Sequence, residues 1–336
     1  MTHAPRIHCL FPNMVDSTSF YRGVGPMSKL RHLMDVRLST DTNISWASLA
    51  WNDILFVQRP WGKAFHKACV IAMNNRIPIW IDYDDYLLDI PDWNPSKRYF
   101  SNTHDQKEMI EMIQMASVVT VTTEALKKKF LKHNPNVFIV PNAFDDYMFK
   151  FEKCFSKNSI INWRGSTTHS EDLKTIIPSL RNVQRELDKN EDADWMFHFI
   201  GEDCSLLKGL VRYKEAKPLD PIEYFHFIKN ELNPLIQLVP LVDCEFNHSK
   251  SNIAWIEGIY SGAVSIAPSV FEEFRRPGCF NYDSYEDFEN VLIACTSEDL
   301  EDFYNQGYDF IDNNLRLSTV NKLRVDIINA LMDKSK

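Results

Sequence analysis

The sequence predicts an α/β protein of two doubly wound domains facing a central cleft, and three observations predict it. Short runs rich in β-branched and aromatic residues alternate with helix-period segments. The alternation restarts after residues 144–157, a stretch of mixed charge and aromatics that reads as a linker. The length, 336 residues, suits two domains. The expected divisions are residues 1–145, residues 158–315, and a C-terminal helix over 316–336 that packs back on the body.

The elements follow in order. Ile7–Phe11 reads as a strand, Ser17–Pro26 as a polar loop with glycines, and the segment through Leu33 as a helix. Asp53–Val57 is the next strand, followed by a helix to about Asn74. Ile77–Ile81 is a strand ending in Asp82-Tyr-Asp84-Asp85. A helix over Asp105–Met115, a strand over Ser117–Val121, a helix over Thr123–Leu131 and a strand over Val137–Val140 complete the first set. The second set opens with strand Ser159–Trp163 and the polar turn Arg164-Gly-Ser-Thr-Thr-His169. Helix Glu171–Leu187, strand Trp195–Ile200 ending at Gly201-Glu202, a helix from Tyr224 to Asn230 and strand Leu235–Val239 follow. In open α/β sheets a ligand lies beyond the carboxyl ends of the strands, where these polar turns fall.

Composition narrows the class. The chain is 44% hydrophobic and 25% charged, as in ordinary globular proteins. Its net charge of −9 argues against broad polyanion binding and leaves room for a local basic cleft. Seven scattered cysteines without a C-x-x-C pair give no zinc or disulfide framework. No apolar run approaches membrane-spanning length and no signal-peptide pattern opens the chain, so a cytoplasmic protein is expected.

The most informative stretch is Lys250-Ser-Asn-Ile-Ala-Trp-Ile-Glu257-Gly-Ile-Tyr-Ser-Gly262. It sets a cation, hydroxyls and an amide at what reads as a helix start, where free N–H groups and the dipole suit a phosphate. Glu257, seven residues after Lys250, is expected on the same face, where it would accept hydrogen bonds from a pair of sugar hydroxyls. An ordinary amphipathic helix packed on a sheet fits the same spacing. Asp82, Asp84 and Asp85 end a buried strand, and one of them would orient or deprotonate a hydroxyl. Helix capping is the plainer role, and a metal site lacks any accompanying His or Cys. His169 and His248 flank the predicted phosphate loops and fit structural roles.

Four segments together resemble the nucleotide-sugar-dependent glycosyltransferases of the GT-B architecture, family 4 type (glycosyl transferases group 1). They are Phe20-Tyr-Arg22-Gly23; Ile81–Pro95; Val119-Thr-Val-Thr-Thr123-Glu with Val140-Pro141-Asn142-Ala143; and Asn162–His169 with Lys250–Glu257. The resemblance covers nearly the whole chain and implies two Rossmann-like domains. It also implies a nucleotide-diphosphate-sugar donor, retention of configuration, and no cofactor or metal. For such a transfer the residues themselves point to Asp85, Arg164 and Lys250 as the catalytic groups, the two cations to neutralise the leaving diphosphate. The donor contacts are Arg22, Gly23, Gly165, Ser166, Thr167, Gly201, Lys217, Ser251, Asn252 and Glu257. Two departures stand out. Arg164 occupies a place where the family has a glycine, and its fork suits phosphate oxygens. The position eight before Glu257, where the family has a second glutamate, is Ser249.

The segment Ile81–Pro95 resembles members acting on an envelope polysaccharide or glycolipid. Glu257–Val264 with Phe271-Glu-Glu-Phe274 is also similar to phage DNA glucosyltransferases. That similarity implies an acceptor of 5-hydroxymethylated pyrimidines, with Lys127-Lys-Lys129 and Arg275-Arg276 as basic clusters. A non-catalytic nucleotide- or sugar-binding protein, or an epimerase of the same architecture, is the third alternative. The sugar, the base, the acceptor and the oligomeric state stay open at this level.

Overall fold

The computed structural model describes residues 4–189, 194–201 and 204–334. Two parallel six-stranded sheets form its frame. The first is built from β1 (Arg6–Phe11), β2 (Asp35–Thr40), β3 (Ile54–Gln58), β4 (Ile79–Tyr83), β5 (Val118–Val121) and β6 (Val137–Ile139), in the order β2-β1-β3-β4-β5-β6. The second contains β7 (Ile160–Arg164), β8 (Met196–Ile200), β9 (Tyr213–Ala216), β10 (Ile236–Leu238), β11 (Val264–Pro268) and β12 (Cys279–Tyr282), in the order β12-β11-β10-β7-β8-β9. Each order reverses once, between β1 and β3 and between β7 and β10. The loops leaving the strands diverge there and open a crevice.

Burial explains which strands the sequence announces. β3, β4, β5, β10 and β11 are buried along their whole length, because helices cover both faces. β2 and β9 lie at sheet edges and carry polar residues such as Arg37, Lys214 and Glu215, so an apolar-run reading passes over them. The stretch expected as the first glycine loop is helical instead. Asp16 caps the helix Ser17–Arg22 by accepting the Ser19 N–H at 2.7 Å, and a second helix, Val24–Ser28, follows at once. Gly23 is required there because a Cβ would meet the Gln58 Oε1 at 2.3 Å and the Phe11 ring at 2.8 Å. The expected single helix 171–187 is two helices, Ser170–Lys174 and Ile177–Leu187, the second with a proline in its first turn.

An aromatic cluster joins the domains. Phe149, from the linker, stacks on Phe225 at 4.8 Å, and Phe20 of the first domain reaches Phe225 at 5.7 Å. The helix Leu317–Lys334 crosses back, and its Ile328 and Leu331 bury among Ile7, Phe11 and Trp80 of the first domain. Among the described residues no helix is long and apolar enough to cross a membrane.

Candidate active site

The cleft between the two switch points encloses about 450 Å³. Strand ends and the segments after them position its side chains. Arg164 ends β7, Arg59 follows β3, and Asp84 and Asp85 follow β4. Lys250 is extended and stands three residues before the helix Ile253–Ser261, not on it as expected. Glu257 lies within that helix, which ends at Gly262 with φ +102°. The Lys250 segment is tied to the first domain: Asn142 Nδ2 donates to Ser251 Oγ at 2.8 Å and Thr123 Oγ1 to the Ser249 carbonyl at 3.2 Å.

Two charge clusters face each other across the cleft. In one, Glu257, 3% exposed, accepts Arg164 Nε at 2.6 Å, Tyr21 Oη at 2.6 Å and Tyr224 Oη at 3.3 Å. Tyr21 belongs to the first domain, so this bond spans the cleft. Burial, and then the Glu257 charge, push the Tyr21 and Tyr224 phenols well above their ordinary range, so both act as donors. In the other, Arg59 binds Asp84 Oδ1 through Nε and Asp85 Oδ2 through Nη2, both at 2.5 Å. Lys250 Nζ lies 3.5 Å from Asp85 Oδ1. Arg59 sits in the left-handed region at φ +44°, an uncommon state for a residue with a side chain. The Asp82 carbonyl accepts its N–H at 2.8 Å and helps fix that turn.

Environment sets the two aspartates apart. Burial raises the Asp84 carboxyl above its ordinary value against the pull of Arg59. For Asp85 burial pulls the same way, but Lys250 and Arg59 outweigh it and hold the carboxyl below its ordinary range. Asp85 is therefore a weak proton acceptor. Its place suits orienting a hydroxyl and the Lys250 ammonium rather than removing a proton.

The structure also closes up the loops after β7 and β8. Gly165 N–H donates to the Ile200 carbonyl at 3.0 Å. Gly201 has φ +96°, and a Cβ there would stand 2.5 Å from the Gly165 carbonyl oxygen. Only glycine lets the turns after β7 and β8 approach this closely.

Of the residues predicted from sequence, Asp85, Arg164, Gly165, Ser166, Gly201, Lys250, Ser251 and Glu257 line the cleft. Arg22 does not. Its side chain is fully buried, donating to Asp82 through Nε (3.0 Å) and Nη2 (2.6 Å) and to the Val140 carbonyl. The expectation that Arg22 and Gly23 reach a diphosphate is corrected: Arg22 bolts the helix Ser17–Arg22 to β4, and Gly23 is a packing position. Thr167, Lys217 and Asn252 also fall outside the cleft wall; Thr167 and Lys217 point to solvent, and Asn252 is buried before the helix Ile253–Ser261. Glu202 lies outside the described residues. Sequence reading missed Tyr21, Arg59 and Tyr224. Arg59 carried one signal, a charged residue directly after a strand buried along its whole length. The tyrosines carried none, because their relation to Glu257 exists only after the domains meet.

No protein-family model matches the chain, and no curated protein matches it in sequence. Solved structures do match in three dimensions. A UDP-forming α,α-trehalose-phosphate synthase from Burkholderia vietnamiensis superposes with a TM-score of 0.66 at 9% identity, over 100% of this chain and 99% of that one. Anabaena HepE in complex with UDP gives 0.62 at 10% identity, over 97% and 100%. A trehalose-6-phosphate synthase studied for glycosyl transfer with retention gives 0.64 at 8% identity, over 97% and 99%. With its two sheet orders, cleft and returning C-terminal helix, the chain has the GT-B fold: two Rossmann-like domains facing each other.

Proposed function

We propose that the chain is a glycosyltransferase that moves a sugar from a nucleotide-diphosphate sugar to an acceptor hydroxyl. The observation that carries this reading is the meeting of Arg164, Lys250 and Glu257 at the switch point of the second sheet, with Asp85 and Arg59 opposite. A departing diphosphate needs positive charge placed in advance, which Arg164 and Lys250 supply. Glu257 suits the ribose hydroxyls, and the glycine turns at 165 and 201 let backbone approach the nucleotide. On this reading the donor diphosphate takes Arg164 from Glu257 and the ribose replaces it there. HepE was solved with UDP, which supports a nucleoside-diphosphate donor.

The transfer is proposed to retain configuration and to run without a metal, on side-chain cations. The retaining trehalose-6-phosphate synthase of like fold supports retention, and the weak basicity of Asp85 favours a course without a strong side-chain base. The proposed acceptor is a carbohydrate, an envelope polysaccharide or glycolipid. The wall on the first-domain side mixes apolar Leu87, Ile90 and Phe100 with polar Asn94 and Ser96, as a sugar ring requires. The net charge of −9 argues against broad binding along a DNA backbone. The test is a transfer assay read by mass spectrometry, with a panel of nucleotide sugars against glycan acceptors and 5-hydroxymethylcytosine DNA. Sugar mass on a glycan supports the reading. Mass on the modified base moves the acceptor to DNA. Neither transfer nor donor hydrolysis across the panel counts against catalysis and favours a binding protein.

A further inference from the structure

His169 plays no part in the chemistry so far, yet its ring is anchored in the cleft by a buried carboxylate. Its Nδ1 lies 2.8 Å from Asp172 Oδ2. Asp172 is 1% exposed, and its other oxygen accepts the Val242 N–H and Asn247 Nδ2, both at 2.8 Å. A buried carboxylate fixed by two amide donors accepts the third hydrogen bond from the ring, so the proton sits on Nδ1. The opposite nitrogen, Nε2, has no hydrogen-bond partner among the described residues, and the ring lines the cleft. The side chain is 24% exposed. A histidine anchored in this way presents a lone pair at a fixed place.

The charged groups facing the ring are Lys250, Arg164, Asp172 and Asp85. Burial is the largest influence, and with the two cations it outweighs Asp172, leaving the imidazole below its ordinary pKa. It is thus uncharged at neutral pH, an acceptor and not a phosphate cation. Position indicates what it accepts from. The diphosphate is assigned between Arg164 and Lys250, and the nucleoside lies toward Glu257 and Gly201. His169 packs against the Gly165 turn, and its cleft-lining ring faces Asp85, which lies 3.5 Å from Lys250. The ring thus stands between the diphosphate place and the first-domain wall, where the transferred sugar must lie.

We propose that His169 is a specificity-determining residue of the sugar subsite, its Nε2 accepting a hydrogen bond from a hydroxyl of the transferred sugar. This rests on the glycosyltransferase reading above. The test compares two classes of ligand on the full chain by calorimetry: free UDP, GDP and TDP, and their esters with glucose, galactose, mannose and N-acetylglucosamine. His169→Phe is expected to weaken the best sugar nucleotide about tenfold, roughly the net worth of one hydrogen bond, while the free nucleotide changes less than about twofold. His169→Gln, which keeps an amide donor for Asp172 and an acceptor oxygen, is expected to recover part of the loss. In the unaltered protein, the advantage of the sugar ester over the free nucleotide should shrink as pH falls through the lowered His169 pKa, because protonation removes the lone pair. Equal weakening of both ligand classes overturns the proposal, since it places His169 on the phosphates or makes it scaffolding. Unchanged affinity for the sugar ester overturns it too. Failure of every nucleotide to bind the unaltered protein is a different result, and it removes the donor-site reading itself.

Discussion

Replacing Glu257 by Gln tests the centre of the site most directly. The substitution keeps the shape and removes the charge. Glu257 is 3% exposed and meets Arg164 at 2.6 Å, with Tyr21 and Tyr224 as further donors. At that distance the gross attraction is about 6 kcal/mol for an effective dielectric constant of about 20. Desolvation of the two charges offsets most of it. Removing one partner of a sealed pair costs about 3–5 kcal/mol. Arg164 keeps 24% exposure, so a smaller loss is expected here, about 2 kcal/mol. Arg164→Ala should cost a similar amount, because Glu257 retains only the two phenols. The double variant should lose less than the sum, with a coupling of about 1–2 kcal/mol. Urea unfolding of the four proteins at pH 7 measures this, provided the denaturant slope is unchanged. A coupling under about 0.5 kcal/mol would refute the reasoning, since the two side chains would then be energetically independent.

The other predictions concern charge, backbone and pH. Lys250→Ala should lower turnover by about 100-fold or more, with the melting transition nearly unchanged, because Arg59 still neutralises Asp85; an unaltered rate would remove Lys250 from the donor site. Gly201→Ala must fit a Cβ 2.5 Å from the Gly165 carbonyl at φ +96°, and should cost about 1–3 kcal/mol of stability and weaken nucleotide binding. Both effects should show in one thermal-shift series with and without nucleotide, and a neutral alanine would mean the two turns are not in forced contact. His8 and His198, 3% and 7% exposed, are both lowered to about 4, chiefly by burial. Their folded pKa lies below the ordinary value, so the stability they allow is full above about pH 6.5 and is lost as pH falls toward about 4, at about 3 kcal/mol per residue. Urea midpoints from pH 7 to 4 should show His8→Asn losing less stability than the unaltered chain; parallel curves would contradict this.

The sequence by itself determined the two α/β sets apart from edge strands such as β2 and β9, and the glycine turns after β7 and β8. These are local matters. A buried parallel strand must be an apolar run, a close turn must be glycine, and polar residues placed directly after such strands stand at their carboxyl ends. Arg164, Gly165 and Gly201 were legible for that reason. Tertiary structure decided whatever depends on partners far apart in the chain. Arg22 and Asp82 lie sixty residues apart and bury together, so an arginine that looked like a ligand group is a structural bolt. Tyr21 meets Glu257 across 236 residues. Asp85 becomes an ion-paired, weakly basic carboxylate only because Arg59 and Lys250 converge on it from opposite domains. Charge and burial at a site are sums over neighbours in space, and a linear sequence gives the terms without the distances.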